Sequence, residues 1–194
     1  MKKYIAILFA LLLMSMVGCS KDEGKDWDVG PSASQPTQDV QSSEPEKVSD
    51  HVVDYTVDVP ESFEPMEMEG LAACWYNTAD NSNINVNIMD KDATTDLGFK
   101  AITAEMLRLT LVSSFKEAYG VEPEITDRYF TNDQVCGLEA YQYSYTMILE
   151  GQEMTQLIVC VNADKTYTFT YTDATGEWID TFEESAKNIQ FTMG

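Results

Sequence analysis

Residues 138–172 read LEAYQYSYTMILEGQEMTQLIVCVNADKTYTFTYT, and the pairing of the three alternating segments in this stretch decides the fold. Side chains on a strand point alternately to two faces. In the last segment Tyr167, Phe169 and Tyr171 share one face, and Thr166, Thr168, Thr170 and Thr172 share the other. Glu150–Gly151 suits a two-residue hairpin loop, which sets Tyr141 opposite Cys160, Tyr143 opposite Ile158 and Tyr145 opposite Gln156. A four-residue loop at Asn162–Lys165 then sets Cys160 beside Tyr167, Ile158 beside Phe169 and Gln156 beside Tyr171. On that reading one face of three strands is a block of rings around Ile158 and Cys160. The other face carries Gln142, Ser144, Thr146, Thr155, Thr168 and Thr170, with Leu157 and Val159 at its middle. A bare ring block of that size exceeds the few hundred Å² of apolar surface that a monomer leaves exposed. The rings are therefore read as core, with at least one helix laid over them. The alternative is an open aromatic platform for a sugar or apolar ligand.

Upstream, VVDYTVDVP (52–60) alternates as an opening strand and stops at Pro60. GLAACWYN (70–77) reads as a second strand and NINVNIM (83–89) as a third. In the third, Ile84, Val86 and Ile88 oppose Asn83, Asn85 and Asn87, so its Asn face is expected to be wet. From about Phe99 to Tyr119 the apolar residues Ile102, Met106, Leu109, Val112 and Phe115 recur at helical spacing. Gly120 suits the position after the helix, Lys116 its last turn, and Asp96 or Thr103 its N-cap. β segments follow near 124–131, 138–149, 152–161 and 165–172. Trp178, Ile179, Phe182 and Ala186 mark a second helix with Thr175 as its cap. NIQFT (188–192) closes as a short strand.

The N-terminus sets the address. Lys2 and Lys3 precede an apolar run, Tyr4–Val17, that is shorter than the about 20 residues a bilayer span needs. It fits the apolar region of a signal peptide. The run ends MSMVGCS (14–20), with Gly18 directly before Cys19. This resembles a bacterial lipoprotein signal, which implies cleavage before Cys19, diacylglyceryl attached to its sulfur, and a lipid-anchored domain on the extracytoplasmic side of the cell membrane. Two acyl chains hold a protein stably on a bilayer, at about 0.8 kcal/mol per buried CH₂. Residues 19–50, rich in Ser, Pro, Gln and acid, are read as a disordered tether. The chain thus divides into a signal peptide (1–18), a lipidated tether (19–50) and one folded domain (51–194).

The formal net charge of -21 repels phosphate backbones, so nucleic acid is not expected as a partner. His51 is the sole histidine and sits at the tether boundary, away from any rigid pocket that a catalytic triad would need. No CxxC or HxxxH spacing supports zinc, and no Gly-rich phosphate loop is present. DKDATTD (90–96) opens like a calcium loop, but Thr95 stands where Gly is required and Ala101 where the bidentate Glu belongs. With 33 acids in the chain, two carboxylates near each other in sequence carry no information about glycoside hydrolysis. Beyond Cys19, the odd count of Cys74, Cys136 and Cys160 leaves at least one thiol unpaired. The register separates Cys136 from Cys160, a bridge from Cys74 to either stays open, and buried free thiols are the default reading.

The element order β-β-β-α-β-β-β-β-α-β, with YTVDVPESF (55–63), NINVNI (83–88) and TYTFTYTDATGEWIDTFEESAKNIQF (166–191), resembles the PsbP-like group of accessory and lipoprotein domains. The resemblance implies an α+β fold, an antiparallel sheet of about six to seven strands flanked by two helices. It also implies a non-catalytic accessory or binding role, with partners that differ widely across the group. The reading adopted for this chain is an envelope protein as partner and no cofactor. A small-ligand receptor or a carboxylate-based hydrolase is the other reading. No ligand-binding, catalytic or metal-binding residue follows from the group's patterns.

Overall fold

The computed structural model describes residues 51–91 and 99–194. Cys19, the tether, Asp96 and most of the 90–96 loop lie outside the described residues. The fold is α+β. Seven strands form one antiparallel sheet: β2 (Glu64–Pro65), β3 (Ala73–Tyr76), β4 (Asn83–Met89), β5 (Glu124–Val135), β6 (Leu138–Leu149), β7 (Gln152–Asn162) and β8 (Thr166–Asp173). Their order across the sheet is β2-β3-β4-β8-β7-β6-β5. β1 (Val52–Thr56) pairs with β9 (Gln190–Met193) in a separate two-stranded ribbon. A 3₁₀ turn (Phe99–Ala101) leads into helix α1 (Ala104–Tyr119), and α2 (Ile179–Lys187) follows β8.

The β6–β7 hairpin pairs as the sequence indicates, with Tyr141 opposite Cys160, Tyr143 opposite Ile158 and Tyr145 opposite Gln156. The β7–β8 pairing is one residue off the expectation. Asn162 pairs with Thr166, so the loop is 163–165 and Cys160 faces Thr168, not Tyr167. Asn162 stays in the strand because its Nδ2 donates to the Glu139 carboxylate of β6 at 2.9 Å. Asp164 closes the shorter loop by accepting the N–H of Lys165 at 2.9 Å. A slip of one residue exchanges the two faces of a strand. The continuous ring block therefore does not exist. Tyr141, Tyr143 and Tyr145 lie on one face of the sheet with Ile158 and Cys160, while Tyr167, Phe169 and Tyr171 lie on the other with Leu157, Val159 and Val161.

Each ring set has its own cover. The β8 rings join Ile84, Val86 and the apolar side of β7 in a core completed by Phe63, Ile179, Phe182 and Ala186. Tyr55 and Phe191 of the β1–β9 ribbon pack on this core too. The β6 rings form a second core with Phe99, Leu111, Phe115 and Met154, so α1 and the 3₁₀ turn close the opposite face. The sheet is thus the shared floor of two cores.

The helix signals hold in part. Thr103 caps α1, its Oγ1 accepting the Met106 N–H at 3.3 Å, and Gly120 ends the helix at φ 73° with its N–H on the Lys116 carbonyl. Helix α2 is not capped by Thr175. Asp173, fully buried at the end of β8, accepts the N–H groups of Thr175, Gly176, Trp178 and Ile179 at 2.8–3.0 Å. A carboxylate set back in the preceding strand reaches more of the unpaired first-turn donors than a cap hydroxyl does. The Asn face of β4 is also not wet: Asn83 and Asn85 are buried, Asn85 donating to Asn83 and Asn83 to the Asn81 carbonyl.

Candidate functional site

The aromatic rows are structural and do not form a platform. Tyr143, Tyr145, Phe169 and Tyr171 are fully buried. Their hydroxyls are anchored: Tyr143 donates to Asp127 at 2.6 Å, and Tyr145 donates to the Gln156 side-chain oxygen. Gln156 in turn donates to Thr172 at 2.8 Å, and Tyr171 accepts from Ser185 at 3.3 Å. Burial raises the pKa of all three tyrosines far beyond neutral pH, so none is poised as an acid or base there.

The three thiols are unbridged. Cys74 and Cys160 are buried, as the default reading has it, and burial pushes the Cys160 thiol up to about 11. Cys136 departs from that reading. It occupies the β5–β6 turn with φ 52° and is exposed, its Sγ donating to the Ile189 carbonyl at 3.4 Å. His51 lies at the surface with Nδ1 2.9 Å from Asp164. Among the described residues no three His, Cys, Asp or Glu side chains gather to hold a metal ion.

Among the described residues three open features stand out. The first is a cleft of about 560 Å³ where the β5–β6 hairpin meets the 3₁₀ turn, lined by Phe99, Lys100, Asn132, Asp133, Gln134 and Glu139. Glu139 is held rigid in it, accepting the Phe99 N–H at 3.0 Å and the Asn162 amide at 2.9 Å. In the next positions along that row of the sheet, Asn162 Oδ1 and Thr166 Oγ1 are buried without hydrogen-bond partners. The second is a cleft of about 510 Å³ beside the β2–β3 connection. The third is the outer edge of β5, a 12-residue strand with one free ladder side at the end of the sheet. Sequence reasoning reached neither cleft. Phe99 and Glu139, which frame the first, are 40 positions apart and meet only through the sheet's closure. Apart from Phe99 and Ala140, the residues lining it are polar: amides, carboxylates and the Lys100 ammonium.

No family model and no curated protein matches the chain. Solved structures do. PsbP (CyanoP) from Synechocystis superposes with a TM-score of 0.54 over 71% of this chain and 86% of its own, at 16% identity. A protein of Bacteroides thetaiotaomicron gives 0.45 at 15% identity, over 71% of this chain and 45% of its own. LpqN, described as involved in cell envelope biogenesis of Mycobacterium tuberculosis, gives 0.44 at 13% identity over 71% and 83%. Among the described residues no helix is long and apolar enough to cross a membrane. With its antiparallel sheet held between helices, the domain has the PsbP-like fold that its element order resembles.

Proposed function

We propose that this chain is a lipid-anchored accessory domain on the extracytoplasmic side of the cell membrane, binding a protein partner and catalysing nothing itself. The observation that carries the reading is MSMVGCS at 14–20, a lipoprotein-type signal joined by a polar linker to a domain of PsbP-like fold. Diacylglyceryl on Cys19 anchors the chain, and the linker, with a reach of roughly 30 Å, holds the domain off the bilayer. Its charge of -21 favours a partner with a cationic surface. The rings are used internally, as the core reading of the sequence expects, and among the described residues the long β5 edge is the surface best suited to a partner strand.

Two measurements test this. Cells expressing the chain are labelled with a clickable palmitate analogue. Label on the wild type and none on Cys19→Ala is expected, and equal labelling rejects the anchor. Crosslinking of intact cells, read by mass spectrometry, is expected to return one envelope protein through β5 residues such as Arg128 or Asn132. Crosslinks confined to the chain itself argue against a protein partner. A second reading, a receptor for a small polar ligand, draws on the Glu139 cleft and on the unpartnered Asn162 and Thr166 oxygens buried in the sheet beside it.

A further inference from the structure

Residues 66–74, MEMEGLAAC, bring three sulfur-bearing residues to the lining of one cleft. The β2–β3 ladder pairs Glu64 with Tyr76 and Pro65 with Trp75. It runs one step further, since the Met66 N–H donates to the Cys74 carbonyl at 2.9 Å. Directly opposed residues project to the same face with Cβ atoms about 5 Å apart. Met68 lies two residues on, where its carbonyl accepts the Leu71 N–H at 3.2 Å and Gly70 turns the chain at φ 85°. Met66, Met68 and Cys74 all line the cleft of about 510 Å³. Met66 and Met68 are half-buried and belong to neither hydrophobic cluster, and Cys74, although buried, joins neither. Glu67 and Glu69 line the same cleft, are exposed, and make no ion pair among the described residues. Their charge draws cations toward the sulfurs.

Two thioethers and a thiol, with no imidazole beside them, are soft donors, and soft sulfur ligands select Cu(I) over hard divalent ions. We propose that Met66, Met68 and Cys74 bind one Cu(I) in this cleft. On binding, the ion replaces the proton of Cys74 Sγ, which passes to water, and the methionines donate as neutral ligands. Copper stays in the +1 state, so no electron acceptor is needed. The inference is independent of lipidation and of any protein partner.

The test uses the full chain in detergent, reduced and under argon, in a Cys19→Ser/Cys136→Ser background that removes the N-terminal thiol and the exposed turn thiol. Cu(I) is titrated against the chromogenic chelator bicinchoninate. The parent is expected to withdraw one equivalent. Met66→Leu/Met68→Leu is expected to bind at least tenfold more weakly, while Met106→Leu, on the exposed side of α1, matches the parent. Leu conserves the volume of Met at these half-buried positions, and circular dichroism verifies the fold of each variant. Cys74→Ala gives a second variant with the same expected loss. X-ray absorption at the copper edge is expected to show a shell of sulfur. Undiminished affinity in the Met66/Met68 variant, no competition by the parent, or a shell of nitrogen and oxygen overturns the proposal.

Discussion

The two faces of the sheet are built from similar numbers of rings and differ in what the rings touch. On the α2 face Tyr171, Phe182, Trp178 and Phe63 meet mainly edge to face or tilted, with ring centroids 5.0–5.7 Å apart for the pairs that Phe63 makes and for Tyr171–Phe182. Ile84, Val86, Leu157 and Val159 fill the floor, so this core is apolar along several strands. On the α1 face the rings of β6 grade into amides and hydroxyls: Gln156, Thr170 and Thr172, then Asn83 and Asn85, all buried. One face is held by contact area and ring geometry. The other also depends on a connected set of polar groups, which contributes only while every member is satisfied.

That contrast predicts unequal losses from equal truncations. Phe182→Ala is expected to cost about 3–5 kcal/mol, as deletion of a fully buried ring does, because Phe182 contacts three other rings. Phe115→Ala on the α1 face removes one ring contact, to Tyr119, and is expected to cost about 1 kcal/mol less. Urea unfolding of both variants measures the difference. Equal losses would mean that the two cores do not differ in packing.

The caps sharpen the same comparison. Asp173 accepts four backbone N–H groups and the Thr175 hydroxyl, whereas Thr103 accepts one N–H. Hydrogen bonds to a charged group contribute about 1.5–3 kcal/mol each, and they do not add simply. Asp173→Ala is expected to destabilise by about 3 kcal/mol and Thr103→Ala by about 1 kcal/mol, the ordinary loss of a side-chain cap. Thermal unfolding checks both. A Thr103 variant as damaged as the Asp173 variant would break the ordering.

A pH effect separates the faces further. Burial raises the Cys160 thiol on the α1 face from 9.0 to about 11. Below pH 9 the thiol is protonated in both folded and unfolded chains, and its contribution is fully present. Between pH 9 and 11 the unfolded chain releases the proton while the folded one keeps it, so stability falls as pH rises. The gap corresponds to about 2–3 kcal/mol at about 1.4 kcal/mol per pKa unit. Cys160→Ala is expected to be weaker at pH 8 and to lose less between pH 8 and 11. Parallel profiles for variant and wild type would remove Cys160 from the account.

How much of this was legible depended on whether the deciding interaction was local. Glu150–Gly151 is a turn with φ of 52° and 78°, both carried by the two residues themselves, so the β6–β7 register could be read directly. The Asn162–Lys165 stretch admits two closures differing by one residue. The choice is made by Glu139, 23 positions away, holding Asn162 in its strand. That single contact assigns Tyr167, Phe169 and Tyr171 to a face. The Asn column of β4 fails differently: its hydrogen bonds are local, Asn85 to Asn83 and Asn83 to the Asn81 carbonyl, but its place beside the distant strand β8, which buries it, is not. The clefts arise where distant segments meet, and no local pattern marks them. The strand and helix segments were legible because they rest on periodicity, and their assembly into a sheet flanked by two helices is what the resemblance of the element order implies.

The smallest effect tests whether the polar side of the α1 face acts as a chain. Tyr145 donates to Gln156, and Gln156 donates to Thr172, spanning β6, β7 and β8 in one line. Tyr145→Phe keeps the ring and leaves the Gln156 oxygen buried without its donor, an expected loss of about 1–2 kcal/mol. Thr172→Val removes the other end. In a chain whose members polarise one another, the double variant loses less than the two single losses added, because the second change acts on a line already cut. A urea double-mutant cycle measures this coupling, with Tyr143→Phe, whose hydroxyl bonds Asp127 instead, as the second axis. Coupling between Tyr145 and Thr172 larger than that between Tyr143 and Thr172 supports a connected line. Strict additivity for both pairs would reduce the buried amides and hydroxyls to isolated satisfied groups, and the two faces would then differ in composition alone.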